Sequence, residues 1–305
     1  MKVLYIAGWG RSGTTILDNV LGQVDGFTST GELHLIWQRG LVDGRLCGCG
    51  QPLRECAVWR DAFEVGFGGV DQVDAQRAIA LQGQLHTRHA ARVYRAQQAG
   101  QVPARYHYAD YLRRLYAGIA EATSARVIVD SSKFPTDGIV AAGLANCDVY
   151  VAHLVRDPRA VAYSWQRKKL SPGKSSGGGL LTRVGMARST AVWLGYNEVI
   201  ARYLRGAVGN ERYLLVNYER MATEPSQVVN DLIELVAEHP AHRPAFDGNA
   251  VDLGVSHTAS GNPNRFSVGR IDIRLDDEWQ HKMSPWRKRA VGLLAAPRLR
   301  AFGYR

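Results

Sequence analysis

Five apolar residues, Val3-Leu4-Tyr5-Ile6-Ala7, run straight into Gly8-Trp9-Gly10-Arg11-Ser12-Gly13-Thr14-Thr15, and this junction restricts the fold more than any other feature of the chain. The apolar run reads as a strand, the glycines as a tight loop, and the stretch from Thr14 to about Leu21 as a helix. Gly8 and Gly13 bracket four residues, a spacing at which backbone N–H groups turn inward toward an anion while the N-terminus of the following helix adds its partial positive charge. A loop built for a Mg-bound triphosphate carries Lys directly after the last glycine. Here that position is Thr14, and the cation stands upstream at Arg11. The loop therefore suits a phosphate without matching the triphosphate pattern.

β-Branched apolar runs recur between longer helical patterns, which predicts an α/β fold with a mostly parallel sheet flanked by helices. The expected strands are Val3 to Ala7, Arg126 to Asp130, Val149 to Val155 and Tyr213 to Val216, with a short one at Phe27-Thr28-Ser29. Beyond the first helix, others are expected over Asp71 to Gln98, Arg105 to Glu121, Thr182 to Leu204 and Trp286 to Arg305, and after Asp157 and Glu224, where proline opens the first turn. With 305 residues and 46% hydrophobic content, one domain over 1–305 is expected. Within it, 40–122 reads as a variable helical region and 171–180, which is Gly- and Ser-rich, as a mobile loop that could cover a neighbouring site.

The net charge of +10, from 38 Lys and Arg against 28 Asp and Glu, favours an anionic ligand. The basic residues are dispersed and no nucleic-acid motif is present, so a nucleic-acid partner is not expected. The first apolar run is too short for a signal peptide and no stretch approaches a membrane span, so a cytoplasmic protein without an integral membrane segment is expected. Cys47, Cys49 and Cys56 fall within ten residues, while Cys147 stands alone. The trio could form a disulfide, a metal site or neither; Cys-x-Cys lacks the usual gap and no fourth ligand is adjacent, so no metal is assigned.

A second anion-binding candidate is His153-Leu154-Val155-Arg156-Asp157-Pro158-Arg159, followed by Ser164 and Lys168. A strand ends at Arg156 and a helix starts at Asp157-Pro158, which places Ser164 two turns along and Lys168 one turn further. Two such cradles suggest a nucleotide with phosphate groups at two separate positions. A kinase or nucleotidase is the rival reading, with Asp130 as its only obvious Mg-holding acid.

With both motifs in hand, the chain resembles the sulfotransferase superfamily, whose donor is 3′-phosphoadenosine 5′-phosphosulfate (PAPS). Gly10-Arg11-Ser12-Gly13-Thr14-Thr15 is similar to that family's 5′-phosphosulfate loop in the Arg-Ser-Gly form of carbohydrate and tyrosylprotein sulfotransferases. Val155 to Arg159 with Ser164 is similar to its 3′-phosphate motif, and Leu215-Val216-Asn217-Tyr218-Glu219-Arg220 to a segment whose Tyr lies near the adenine. The resemblance implies a three-layer sulfotransferase-like fold and transfer of a sulfuryl group to a hydroxyl on a small molecule, saccharide or peptide. It also implies release of adenosine 3′,5′-bisphosphate and no metal requirement. It assigns Glu32 as the base, with His34 as rival, Lys133 near the sulfuryl group, and Arg265 in a late loop over the 3′-phosphate. A base is chemically necessary, since the attacking oxygen must lose its proton as the S–O bond forms. The oligomeric state and the acceptor are not readable.

Overall fold

The computed structural model describes residues 1–100, 107–167, 170–171, 179–180 and 183–304; Lys168 and most of the 171–180 loop lie outside them. The first strand, β1 (Lys2–Ala7), is buried along nearly its whole length. Because successive side chains point to opposite faces of a strand, its residues divide between two apolar layers. Val3, Tyr5 and Ala7 face one core with Trp37, Trp59, Phe63 and Tyr116. Leu4 and Ile6 face the other with Leu17, Val20, Val228 and Leu232. A sheet buried on both faces needs helices on both, and this chain supplies them.

The sheet has five strands: β1, β2 (Phe27–Gly31), β3 (Val127–Lys133), β4 (Asp148–Val155) and β5 (Tyr213–Asn217). Their order is β2-β3-β1-β4-β5 and every pairing is parallel. All five C-terminal ends therefore lie along one edge, where ligands of open α/β sheets bind. Gly8, Glu32, Lys133, Arg156 and Tyr218 each end or directly follow a strand and meet at that edge. The register slips beside β3, between Tyr5 and Ala7 on one neighbour and between Ser29 and Gly31 on the other. Such bulges re-aim the residues beyond them, here Glu32 and Lys133.

Helix α1 (Thr14–Leu21) follows the glycine loop over the expected span. Two helices that the pattern did not reveal are α2 (Ala57–Phe67), which packs on α3 (Tyr108–Thr123), and α4 (Pro135–Ala142) after β3. The helix expected over Asp71 to Gln98 is divided into Ala75–Gln82 and Ala90–Gln98. Gly83 ends the first piece, its N–H bonding the carbonyl of Ile79 at 2.8 Å, and Leu85 turns inward instead of continuing the helix. Helices α5 (Pro158–Ser164), α6 (Met186–Val199) and α7 (Pro225–Leu235) lie inside the expected regions, and proline opens α5 and α7. Asp157 caps α5 by accepting from the Arg159 N–H at 2.7 Å. The last helix, α8 (Pro285–Leu299), buries Val291, Ala295 and Leu299 and exposes Trp286 and Leu293. Among the described residues no helix is long and apolar enough to cross a membrane. A small antiparallel sheet, Gly269–Asp272 beside Ala250–Leu253 beside Phe246–Asp247, escaped the sequence reading because its strands are too short to show alternation.

Asp18 on α1 lies fully buried under the strand ends. Burial pushes its carboxyl from 3.8 up to about 7, with Ser29 and Lys133 only partly offsetting that. The folded chain thus keeps a proton that the unfolded chain releases near pH 4, so this stability is present below that pH and is lost as pH rises through 7. Asp18→Asn should therefore stabilise the protein relative to wild type by about 3–4 kcal/mol at pH 8 and by little at pH 4. Urea unfolding of both proteins at the two pH values measures this, and a difference independent of pH would show that Asp18 is ionised in the fold.

Candidate active site

The glycine loop leaves β1 through a backbone that few residues tolerate. Gly8 has φ 152°, and a Cβ there would lie 2.3 Å from the Leu154 carbonyl oxygen. Gly13 has φ 85°, and a Cβ there would meet Met221 and Tyr218 at 2.7 and 2.9 Å. Arg11 also adopts a left-handed conformation, with φ 73°, at a cost of about 1–2 kcal/mol for a non-glycine residue. The Ser12 hydroxyl donates to the Trp9 carbonyl at 2.8 Å and fixes the turn. No side chain caps α1, so its first N–H groups remain open to an anion.

The Arg11 guanidinium lies 4.6 Å from the centre of the Trp165 ring, and its buried Nε has no hydrogen-bond partner among the described residues. Burial, and then the charge of Arg167, hold its pKa below the usual arginine value, while Glu32 opposes them. The group stays charged at neutral pH.

Arg156, at the end of β4, is almost fully buried. Its Nη1 donates to the Arg11 carbonyl at 3.0 Å, which couples the two motifs of the sequence directly. Its guanidinium lies 4.1 Å from the centre of the Tyr218 ring, and its Nη2 reaches the Asp276 carbonyl at 2.5 Å and the Asp276 carboxylate at 3.2 Å. Arg167 pairs with the same carboxylate, with Glu278 at 2.8 Å and with the Ser164 hydroxyl at 3.4 Å. The Tyr218 hydroxyl accepts from the Asp276 N–H at 3.1 Å and holds that segment in place. Two arginines thus converge on one carboxylate, with a buried serine beside one and an aromatic ring against the other. Sequence reasoning missed Arg167 because it extended the helix to Lys168, whereas α5 ends at Ser164 and the following turn returns Arg167 to that serine.

Across the strand ends, Glu32 and Lys133 form an ion pair, both side chains being less than one-fifth exposed, at 17% and 12%. Lys133 has φ 73°, the consequence of the bulge at the end of β3. Glu32 stands before the short turn Leu33–Leu35, yet its side chain does not cap that turn and reaches Lys133 instead. Burial alone would raise the Glu32 carboxyl, but the Lys133 ammonium, with Arg39 behind it, holds it below the ordinary value of 4.5. His34 turns elsewhere: its Nδ1 meets Asp137 at 2.7 Å and its ring stacks on Phe134 with centroids 3.5 Å apart. Asp130, the acid a Mg-dependent reading needs, is buried and engaged by the Tyr116 hydroxyl at 2.7 Å and the Ser132 N–H at 2.8 Å.

Arg265, assigned by resemblance to the late loop, donates its guanidinium to the carbonyls of Thr258 at 2.7 Å and Leu46 at 2.6 Å. An aromatic rim without any local signature in the chain joins the two halves of the site. Trp9 packs on Trp165 and Tyr196 with centroids 5.5 and 5.0 Å apart, and Tyr196 meets Phe134 at 6.0 Å. Half-buried rings beside an acid and a cation form a wall against which the ring or chain of a bound molecule can lie.

Residues 4–238 match the sequence model of a family described as the sulfotransferase family. Among solved structures, the chain is similar to the sulfotransferase domain from the Synechococcus PCC 7002 olefin synthase, with 21% identity and a TM-score of 0.55 over 97% of this chain and 94% of that one. It is similar also to the sulfotransferase domain from the curacin biosynthetic pathway, with 20% identity and a TM-score of 0.54 over 96% of each. None of the curated proteins compared with the chain matches it.

Proposed function

This chain belongs to the sulfotransferase family, and from that premise we propose that it moves the sulfuryl group of PAPS to an acceptor hydroxyl by direct in-line displacement. The observation that carries the reading is the bond from Arg156 to the Arg11 carbonyl, which makes one continuous cationic surface of the two anion-binding motifs. In this reading the loop from Gly10 to Thr15 holds the 5′-phosphosulfate. Arg156, Ser164 and Arg167 hold the 3′-phosphate, and Tyr218 lies beside the nucleoside.

The acceptor oxygen attacks sulfur, the bond from sulfur to the bridging oxygen breaks, and its electron pair leaves with adenosine 3′,5′-bisphosphate. Glu32, ionised well below neutral pH, takes the acceptor's proton. Arg11 and Lys133 offset the charge that builds on the departing phosphate and the transferring group, an effect that fixed cations in a water-poor site deliver strongly. The chemistry assigns no task to a metal. The rim of Trp9, Trp165, Tyr196 and Phe134 supports an acceptor that presents a ring or apolar face next to its hydroxyl, whether saccharide, tyrosine, lipid or natural product.

Adenosine 3′,5′-bisphosphate at 100 times its dissociation constant should stabilise the fold by about 2.7 kcal/mol, a shift of several degrees in Tm. ATP with Mg should shift it much less. The reverse ranking in a thermal melt would overturn the assignment of the donor and favour a kinase-like chemistry.

A further inference from the structure

Three cysteines and a histidine converge beside the segment that supports Glu32. The thiol sulfurs of Cys47, Cys49 and Cys56 and a ring nitrogen of His257 all lie within 4.8 Å of one another. Cys56 Sγ is 3.2 Å and Cys47 Sγ 4.0 Å from His257 Nδ1. All three cysteines are free thiols, and Cys47 and Cys56 are buried. Four donors around zinc, at about 2.3 Å for sulfur and 2.0–2.1 Å for nitrogen, stand about 3.5–3.8 Å apart at the corners of a tetrahedron. The sequence concealed this set because its fourth member lies 201 residues beyond Cys56. The geometry points to a structural zinc site formed by Cys47, Cys49, Cys56 and His257.

The surroundings suit that ion. Three thiolates and a neutral imidazole satisfy zinc's four-coordinate preference without an open position, and soft sulfur donors select it over Mg or Ca. The resulting unit carries one net negative charge. Arg265 supplies the compensating cation: nearly buried, it donates to the carbonyl of Leu46, which precedes Cys47, and to that of Thr258, which follows His257. The Trp59 indole N–H donates to the His257 backbone carbonyl at 2.9 Å and so anchors the segment that carries the histidine. The Gly48 N–H bonds the Thr258 carbonyl at 3.0 Å, so the two ligand-bearing segments are already laced together.

The site has a mechanical consequence. Two residues past the histidine, the Ala259 N–H bonds the Thr30 carbonyl at 2.8 Å, and the Ser260 carbonyl accepts from the Glu32 N–H at 3.0 Å. A metal clamp on residues 47–56 and 257 thereby fixes the strand that carries Glu32.

Full-length protein purified without a polyhistidine tag or chelator should contain about one zinc per chain by inductively coupled plasma mass spectrometry. His257→Ala and Cys56→Ser should lose most of it, His257→Cys should recover it as a four-thiolate site, and Cys147→Ser should keep it. Protein loaded with cobalt should show the strong visible absorption of tetrahedral thiolate coordination, absent from His257→Ala. Wild-type protein without zinc after growth in zinc-supplemented medium would overturn the proposal, as would a disulfide among the three cysteines by mass spectrometry. Full zinc content in folded His257→Ala would overturn the ligand set. The wild-type measurements decide the matter even where a variant fails to fold.

Discussion

Glu32→Gln should slow sulfuryl transfer by about 10²–10⁴-fold, the range a positioned base contributes, while leaving affinity for adenosine 3′,5′-bisphosphate within about twofold of wild type. The substitution keeps the shape of the side chain and removes its capacity to accept a full proton. It also removes the partner of Lys133, so the control is Glu32→Asp, which keeps the charge and withdraws it from the acceptor. The pH profile separates base from counterion. Lys133 holds the Glu32 carboxyl below its usual value, so the wild-type base stays ionised as pH falls and activity is lost only below about pH 4.5 on this account. The residual activity of Glu32→Gln should lack that acid limb. Full turnover in this variant, with loss in His34→Gln, would transfer the role to His34, despite its pairing with Asp137.

Arg156→Ala should weaken binding of the bisphosphate by about 30- to 4,000-fold, the equivalent of 2–5 kcal/mol for truncating one partner of a buried charged contact. Removal of the guanidinium takes away a donor pair, the bond to the Arg11 carbonyl and the cation over Tyr218 together. Arg156→Lys keeps the charge but not the planar fork, and should fall between. Calorimetry with adenosine 5′-phosphosulfate, which lacks the 3′-phosphate, discriminates: the ratio of wild-type to variant affinity should fall toward one for that ligand. Equal losses for both ligands would mean that Arg156 serves the loop rather than a phosphate.

Much of the site was legible in sequence because its residues are tied to strand ends, and strand ends are marked by composition. Gly8 to Thr15, Arg156 and Tyr218 fall where an apolar run stops, whereas Glu32 follows the polar strand Phe27-Thr28-Ser29-Thr30-Gly31 and, like Lys133, takes its role from the family resemblance. What was hidden depends on chain that returns from far away. Asp276 reaches Arg156 from 120 residues along, and His257 reaches Cys56 from 201. Neither contact has a local signature. Arg167 was hidden for a different reason: periodicity indicates which residues share a helical face but not where the helix stops. The break at Gly83 and the short helix α4 show the same limit, since both were settled by burial against neighbouring elements rather than by local pattern.

The carboxylate of Asp276 between Arg156 and Arg167 sets a threshold for any anion that enters. On the proposed function, ligand binding there is a substitution: an internal counterion is displaced and an external one takes its place, so the net gain is the difference between two pairings. An anion of single charge, such as chloride or a carboxylic acid, offers the arginines little beyond what they already have. A phosphate dianion offers a second charge and a third oxygen. On the proposed reading the protein's own side chain acts as the reference competitor, one that a doubly charged phosphate can displace and a singly charged anion cannot.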